Sequence, residues 1–176
     1  MGKTLADSVR CGHLGAVREF LGGRERPWGK PQRFAASWRN ANVVIPAKPV
    51  VSHATPAGKI YTAAEEIEKA GGKALPLVCD IRFEEQVYAA VEKAVSTFGG
   101  IDILVNNASA IQLTGTLETA MKRYDLMHTI NTRGTYLCSQ ACIPHLKQAK
   151  NPHVLNLSPP LSMQAKWFKP HVAYTM

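Results

Sequence analysis

The 176-residue sequence has no hydrophobic run long enough to cross a membrane, and it is short of acidic residues. A membrane-spanning helix needs about 18 consecutive apolar residues, and no stretch of this sequence approaches that length. Thirteen Asp and Glu stand against 21 Lys and Arg, which gives a net charge of +8. With 45% hydrophobic and 19% charged residues, the composition is typical of a soluble, globular chain of one domain.

The positive charge is concentrated near the N-terminus. Residues 1–40 carry eight Lys and Arg against three acidic residues. The aromatic residues of this segment follow no DNA- or RNA-binding motif, so we expect no nucleic-acid partner. We interpret residues 1–40 as a divergent basic segment, partly disordered, with the pattern of a helix over about residues 8–21. Residues 41–176 are predicted to form the folded domain.

Cysteine is also sparse, and its spacing shows no small disulfide framework. Cys11, Cys79, Cys138 and Cys142 include no CxxC pair. Cys138 and Cys142 are one helical turn apart, as two metal ligands can be, but no second pair stands near them. Buried core thiols in a reducing compartment are therefore favoured, and no metal site is predicted.

After residue 40, strand and helix patterns alternate. A β-branched run at Asn42–Ile45 is stopped by Pro46, and Gly71-Gly72 and Gly99-Gly100 end two helical patterns. Strands are predicted over 42–45, 74–79, 101–105 and 153–157, and helices over 60–70, 83–98 and 119–147. This alternation predicts an α/β fold, a Rossmann-like doubly wound parallel sheet.

Ligands of such sheets bind at the carboxyl ends of the strands. The residues just past the four predicted strands should therefore line the site. They are Lys48, Asp80, Asn106-Asn107 and Ser158.

Several of these residues stand in motifs of a known family. Asn106-Asn107-Ala108-Ser109 resembles the NNAG element of the short-chain dehydrogenase/reductase family, and Asn131 in TINTRG resembles its N-x-x-G element. Tyr174 resembles the tyrosine of the family's YxxxK motif. The stretches IYTAAEEIEKAGGKALP, FGGIDILVNNASAI, NTRGTYL and ACIPHLK most resemble family members named for hydroxysteroids.

The resemblance implies hydride transfer between a nicotinamide cofactor and a carbonyl/alcohol pair, with a lipid- or steroid-like substrate. It implies that Tyr174 is the general acid/base, that Ser158 polarises the substrate oxygen and that Asn131 holds an active-site water. It places Asp80 on the adenine ring and Asn107 and Ala108 against the cofactor. Because Lys48 stands where NAD-binding relatives carry an acid, NADP is favoured and NAD stays possible.

Three features of the family pattern are not matched. The family opens with a strand and a TGxxxGxG turn at the pyrophosphate, and Gly12-His13-Leu14-Gly15 has the wrong spacing and no strand before it. We therefore expect an incomplete sheet that lacks its first, central strand and its C-terminal part. The lysine of YxxxK would fall at position 178, past Met176. The family's usual serine position holds Leu161, so we take Ser158 as the candidate catalytic serine.

These departures leave two hypotheses open. The chain is either a short-chain oxidoreductase with impaired activity, or a non-catalytic truncated isoform that serves as an interaction module without a cofactor. The resemblance also implies a peroxisomal or mitochondrial location, or a cytoplasmic one if targeting signals are lost, and a possible homo-oligomer.

Overall fold

Among the residues that the structure describes, five parallel strands form one sheet. The computed structural model describes residues 18–22, 41–47, 58–158 and 164–176. In these ranges the strands are β1 (Arg18–Gly22), β2 (Asn42–Ala47), β3 (Lys73–Val78), β4 (Ile103–Asn106) and β5 (His153–Asn156). Their order across the sheet is β3-β2-β1-β4-β5, and every neighbouring pair is parallel.

Helices connect the strands, as parallel pairing requires. After β2 comes α1 (Gly58–Lys69), and after β3 comes α2 (Glu84–Phe98). One continuous helical stretch follows β4 and consists of α3 (Met121–His128), a π-helix (Thr129–Gly134) and α4 (Thr135–Leu146). Two short helices, α5 (Ala165–Phe168) and α6 (Val172–Thr175), follow β5. The predicted α/β alternation is confirmed.

Both predicted glycine stops are confirmed. Gly71, just past α1, has φ +90°, and Gly99, the C-cap of α2, has φ +84°. Residues with a β-carbon rarely adopt this left-handed backbone, whereas glycine adopts it readily. The two helices therefore end at these positions for a local steric reason.

The sheet is covered on both faces. Side chains of successive strand residues point to opposite faces, and in β2 Val44 belongs to one core cluster while Val43 and Ile45 belong to another. The larger cluster contains residues of α2 and α4, and the smaller contains Ala64 and Ile67 of α1. Helices on both faces of a parallel sheet confirm the doubly wound arrangement.

The expectation that the central strand is missing is wrong. β1 lies between β2 and β4, with Arg18–Phe20 paired to Asn42–Val44 and Glu19–Gly22 paired to Ile103–Asn106. A helix over residues 8–21 is wrong for 18–21, and the rest of it lies outside the described residues. On the edges that face each other, β2 and β4 both present backbone N–H and C=O groups that need hydrogen-bond partners. Pairing with these groups outweighs the weak local strand pattern of REFLG.

β2 also continues through Pro46, where the pattern predicts its end. Pro46 is in register with Leu77 of β3, whereas β1 pairs with β2 only as far as Val44. Proline has no N–H to donate, so a strand tolerates it where it has no partner on one side. β2 therefore extends two residues past its predicted end and stops at Ala47.

Cys138 and Cys142 are buried in the larger core cluster, together with Cys79. Within the described ranges, no group of three or more His, Cys, Asp or Glu side chains could hold a metal ion. No helix in those ranges is both long and apolar enough to cross a membrane.

Candidate active site

Polar residues follow β3, β4 and β5 at the carboxyl edge of the sheet. Asp80 comes two residues after the end of β3, Asn107 and Ala108 follow β4, and Ser158 comes two residues after the end of β5. Because these strands are parallel, the three ends lie along one edge. Lys48, the predicted partner of the cofactor's phosphate, lies outside the described residues, directly after the end of β2.

Asn106 ties the ends of β4 and β5 to α4. Its buried Nδ2 donates hydrogen bonds to Asn156 Oδ1 at 2.7 Å and to Ser139 Oγ at 3.2 Å. Ser139 Oγ in turn donates to the carbonyl of Thr135 at 2.7 Å. A buried amide is costly unless it is hydrogen-bonded, so this network holds the strand end in place just before Asn107 and Ala108.

Asn131 fixes the segment that follows β4. Its Oδ1 accepts a hydrogen bond from the amide of Ala110 at 2.8 Å, and its Nδ2 donates to the carbonyl of Ala110 at 2.9 Å. Asn131 lies on the π-helix, where its own carbonyl accepts a hydrogen bond from Thr135 Oγ1 at 2.8 Å. The structure therefore joins two of the sequence motifs, the NNAS turn and the TINTRG stretch.

Asp80 is held by residues of its own loop and of α2. Arg82 Nε donates to Asp80 Oδ1 at 2.9 Å and Oδ2 at 3.1 Å, and Arg82 Nη2 donates to Oδ2 at 2.5 Å. The amide of Asp80 donates to Gln86 Oε1 at 2.8 Å. These hydrogen bonds to the carboxylate raise the pKa of Arg82 and keep the guanidinium charged. The result is a fixed anionic group at the end of β3.

Tyr174 lies on α6 and is half-buried. Its turn is docked on α3 by His128, whose Nε2 donates to the carbonyl of Ala173 at 3.1 Å. The ring of Tyr124 lies 4.1 Å from the His128 ring, centroid to centroid. The two hydrogen bonds of the Asn131 side chain go to Ala110 and not to Tyr174.

The position of β1 reveals a glycine pattern that the sequence alone did not show. β1 ends at Gly22, and Gly23 and Gly29 follow it in the sequence. When TGxxxGxG is aligned on this strand end, glycine stands at the first and third glycine positions, and Pro27 stands at the second. Residues 23–40 lie outside the described residues. The signal was hidden because the strand that anchors it carries Arg18 and Glu19.

Arg82, Ser139 and Asn156 were also missed as site residues. Each is the hydrogen-bond partner of a residue at a strand end. The signal for Asn156 was its place at the end of a predicted strand, beside Ser158. Nothing in the local pattern singles out Arg82 or Ser139.

A family model described as "short chain dehydrogenase" matches residues 46–173. With more than two thirds of its length matched, the chain belongs to the short-chain dehydrogenase family. It is 60% identical over 165 residues to "Hydroxysteroid dehydrogenase-like protein 2" of Xenopus tropicalis, and the match covers 94% of this chain and 40% of that protein. It is 57% identical over 165 residues to the Homo sapiens protein of the same name, with the same coverage. The chain thus spans about two fifths of the length of these relatives.

Solved structures show the same family. A putative dehydrogenase from Xanthomonas campestris superposes with a TM-score of 0.80 at 50% identity, covering 91% of this chain and 60% of that one. A short chain dehydrogenase from Mycobacterium thermoresistibile superposes with a TM-score of 0.79 at 52% identity, covering 90% and 56%.

The comparison with the curated relatives also reaches into the N-terminal segment. Because 165 of the 176 residues are matched, at most 11 lie outside the similarity. The alignment therefore includes most of residues 1–40, and their divergent character stays a prediction.

Proposed function

We propose that this chain forms the cofactor-binding part of a short-chain oxidoreductase that transfers hydride between NADP(H) and a carbonyl/alcohol substrate. The observation that carries the proposal is the double hydrogen bond of Asn131 to Ala110, which joins the helix motif to the turn after β4. This turn stands at the carboxyl edge of a parallel sheet, where nucleotides bind in such folds.

The residues at this edge fit a nicotinamide dinucleotide. Asp80 offers a fixed carboxylate, which suits the amino group of adenine, and Asn107 and Ala108 offer a strand-to-helix turn. Lys48 follows β2, and a cation there suits the 2′-phosphate of NADP better than the ribose hydroxyl of NAD. Gly23 and Gly29 in the sequence after β1 suit a backbone that approaches a pyrophosphate.

The chemistry assigns a task to each remaining residue. The bound cofactor would supply the hydride acceptor or donor. Tyr174 would exchange a proton with the substrate oxygen, Ser158 would polarise that oxygen, and Asn131 would hold a water molecule. General acid/base catalysis of this kind contributes about 10²–10⁴-fold in rate.

The segment that follows the site supports an apolar, lipid- or steroid-like substrate. Ile111, Leu113 and Met121 are exposed, and Leu117 is 95% exposed. Ile111 comes directly after Ala110, the residue held by Asn131. Several exposed apolar side chains beside a site are typical of a surface that binds an apolar ligand.

A thermal-shift titration of the 176-residue chain with NADP+ and with NAD+ tests the proposal. A ligand that binds only the folded state adds about 2.7 kcal/mol to the free energy of unfolding at a concentration of 100 Kd. We expect a cooperative transition that NADP+ raises more than NAD+, and a Lys48→Ala variant that loses this preference. Lys73→Ala removes an exposed lysine from the opposite end of β3 and should keep the preference. A folded chain that neither dinucleotide stabilises would contradict the proposal.

A second candidate function, an interaction module without a cofactor, is favoured by the surface of β5. This strand lies at the edge of the described sheet, and Val154, Leu155 and Leu157 are exposed there. Exposed apolar strand edges pair readily with other chains. A flat response to both dinucleotides, together with association that Leu155→Lys abolishes, would favour this candidate over the first.

A further inference from the structure

The carboxylate of Asp80 is unusually constrained for a group at a strand end. Both of its oxygens accept hydrogen bonds from Arg82 side-chain nitrogens, and Oδ1 also accepts the amide of Arg82 at 3.2 Å. The Asp80 side chain is only 11% exposed, and that of Arg82 is 28% exposed. An arginine that binds both oxygens of a carboxylate fixes the plane of the carboxylate as well as its charge.

The backbone of this loop is held independently of the Arg82 side chain. Arg133 Nη1 donates to the carbonyl of Arg82 at 2.9 Å, and Ile81 is buried in the larger core cluster. Gln86 holds the amide of Asp80 at 2.8 Å. Replacing the Arg82 side chain should therefore remove its hydrogen bonds to the Asp80 carboxylate without moving the loop.

We propose that Arg82 is a positioning residue that sets the preference of the site for an adenine base. Arg82 orients the Asp80 carboxylate as the acceptor for the exocyclic amino group of adenine. The inference rests on the proposed function, because it requires a dinucleotide at this edge of the sheet. Hypoxanthine carries a carbonyl oxygen where adenine carries the amino group, so an oriented carboxylate would face an acceptor and disfavour that base.

The test compares NADP+ with its hypoxanthine analogue, which differs only in the base. Isothermal titration of the 176-residue chain gives Kd for each dinucleotide, and the ratio of the two constants measures base preference. We expect a ratio of roughly tenfold or more in favour of adenine, the range for one hydrogen bond to a charged group. Arg82→Gln should bring the ratio close to one. Arg82→Lys should give an intermediate ratio, because lysine keeps the charge but cannot bind both carboxylate oxygens in the same way.

A double-mutant comparison separates positioning from direct contact. Asp80→Ala should abolish the base preference, and Arg82→Gln in the Asp80→Ala background should change the ratio no further. Arg123→Gln is the matched control, because it removes an exposed arginine from α3 and should leave the ratio as in the unmodified chain. A cooperative thermal transition verifies that each variant is folded.

Each outcome decides between the two proposals. If Asp80→Ala lowers the ratio and Arg82→Gln does not, the role of Arg82 is overturned while the proposed function stands. A ratio near one in the unmodified chain also overturns the role of Arg82. Absence of binding by either dinucleotide to the folded chain overturns the proposed function, and this inference with it.

Discussion

Three of the four cysteines lie in the larger core cluster, where their thiols are kept neutral. Burial raises the pKa of Cys79 to about 11 and the pKa values of Cys138 and Cys142 to about 12, from an ordinary value of 9.0. The neighbouring Asp80 adds to the rise at Cys79. Neutral, buried thiols react slowly and behave as small apolar side chains. The role of these thiols is to pack in the core.

The raised pKa values predict a loss of stability at alkaline pH. A thiol whose folded pKa exceeds its unfolded pKa stabilises the fold fully below about pH 9, and this stabilisation is lost as pH rises towards the folded value. For Cys138 the loss between pH 8 and pH 10.5 should be about 2 kcal/mol, at about 1.4 kcal/mol per pKa unit. Urea unfolding of the unmodified chain and of Cys138→Ala at both pH values measures it.

Cys138→Ala should be less stable at pH 8 because it leaves a small cavity, by about 1 kcal/mol. Its further loss at pH 10.5 should be smaller than that of the unmodified chain, because other titrating groups are common to both proteins. Equal alkaline losses in the two proteins would show that Cys138 does not carry the effect.

Individual site positions could be predicted from the sequence where they depend only on strand ends. Asp80, Asn107 and Ser158 follow β3, β4 and β5 as expected, because parallel strands bring their carboxyl ends to one edge. Their partners could not be predicted in the same way. Ser139 reaches Asn106 only because α4 packs beside β4, and that contact joins residues 33 positions apart. The proposed chemical roles of these residues stay predictions.

At the scale of elements, the π-helix separates α3 from α4 and packs closely on the loop after β3. A β-carbon added at Gly134 would lie 2.5 Å from Ile81 Cδ1 and 3.0 Å from Ile81 Cγ1. Ile81 is buried in the larger core cluster, so it has little room to move. Glycine at this position therefore allows the helix that carries Asn131 to approach the loop that carries Asp80.

Gly134→Ala should accordingly lower the free energy of unfolding by about 1–3 kcal/mol, the usual range for overpacking a core. Ile81→Val removes the nearest carbon, so the double variant should be more stable than the sum of the two single effects predicts. Chemical denaturation of the four proteins measures the coupling. Strict additivity would contradict a direct steric contact.

A hydrogen bond from one side chain of α3 helps to dock α6. His128 donates to the carbonyl of Ala173, and only one turn of helix, Val172–Thr175, carries Tyr174. A helix of four residues has little stability of its own, so its tertiary contacts decide whether it stays formed. This dependence could not be predicted from the sequence, because His128 and Ala173 are 45 residues apart.

We expect His128→Ala to loosen the turn that carries Tyr174. Hydrogen–deuterium exchange at the amides of Tyr174, Thr175 and Met176 should become about fivefold faster, which corresponds to the roughly 1 kcal/mol of one hydrogen bond. His128→Gln keeps a donor and should show a smaller change, and His145→Ala on α4 should show none. Unchanged exchange in His128→Ala would show that other contacts hold α6.

At the scale of the whole molecule, the sequence predicts the class of fold but not which segment forms the middle of the sheet. Four strands could be predicted from apolar runs between turns. β1 could not, because Arg18 and Glu19 interrupt its pattern and only the unpaired edges of β2 and β4 require a strand there. Strand pairing between distant segments leaves no signal in the local sequence pattern.

The central position of β1 predicts that residues 41–176 do not fold alone, although the sequence pattern begins at residue 41. β1 pairs three residues with β2 and four with β4. At about 1 kcal/mol for each lost hydrogen bond, deleting it removes an amount comparable with the roughly 5–15 kcal/mol that stabilises a whole domain. We expect a chain of residues 41–176 to show no cooperative thermal transition by circular dichroism.

Deletion of residues 1–11 is the matched control, because it keeps β1 and should preserve the transition. If residues 41–176 unfold cooperatively at a temperature close to that of the full chain, β1 is dispensable and the folded domain begins at residue 41.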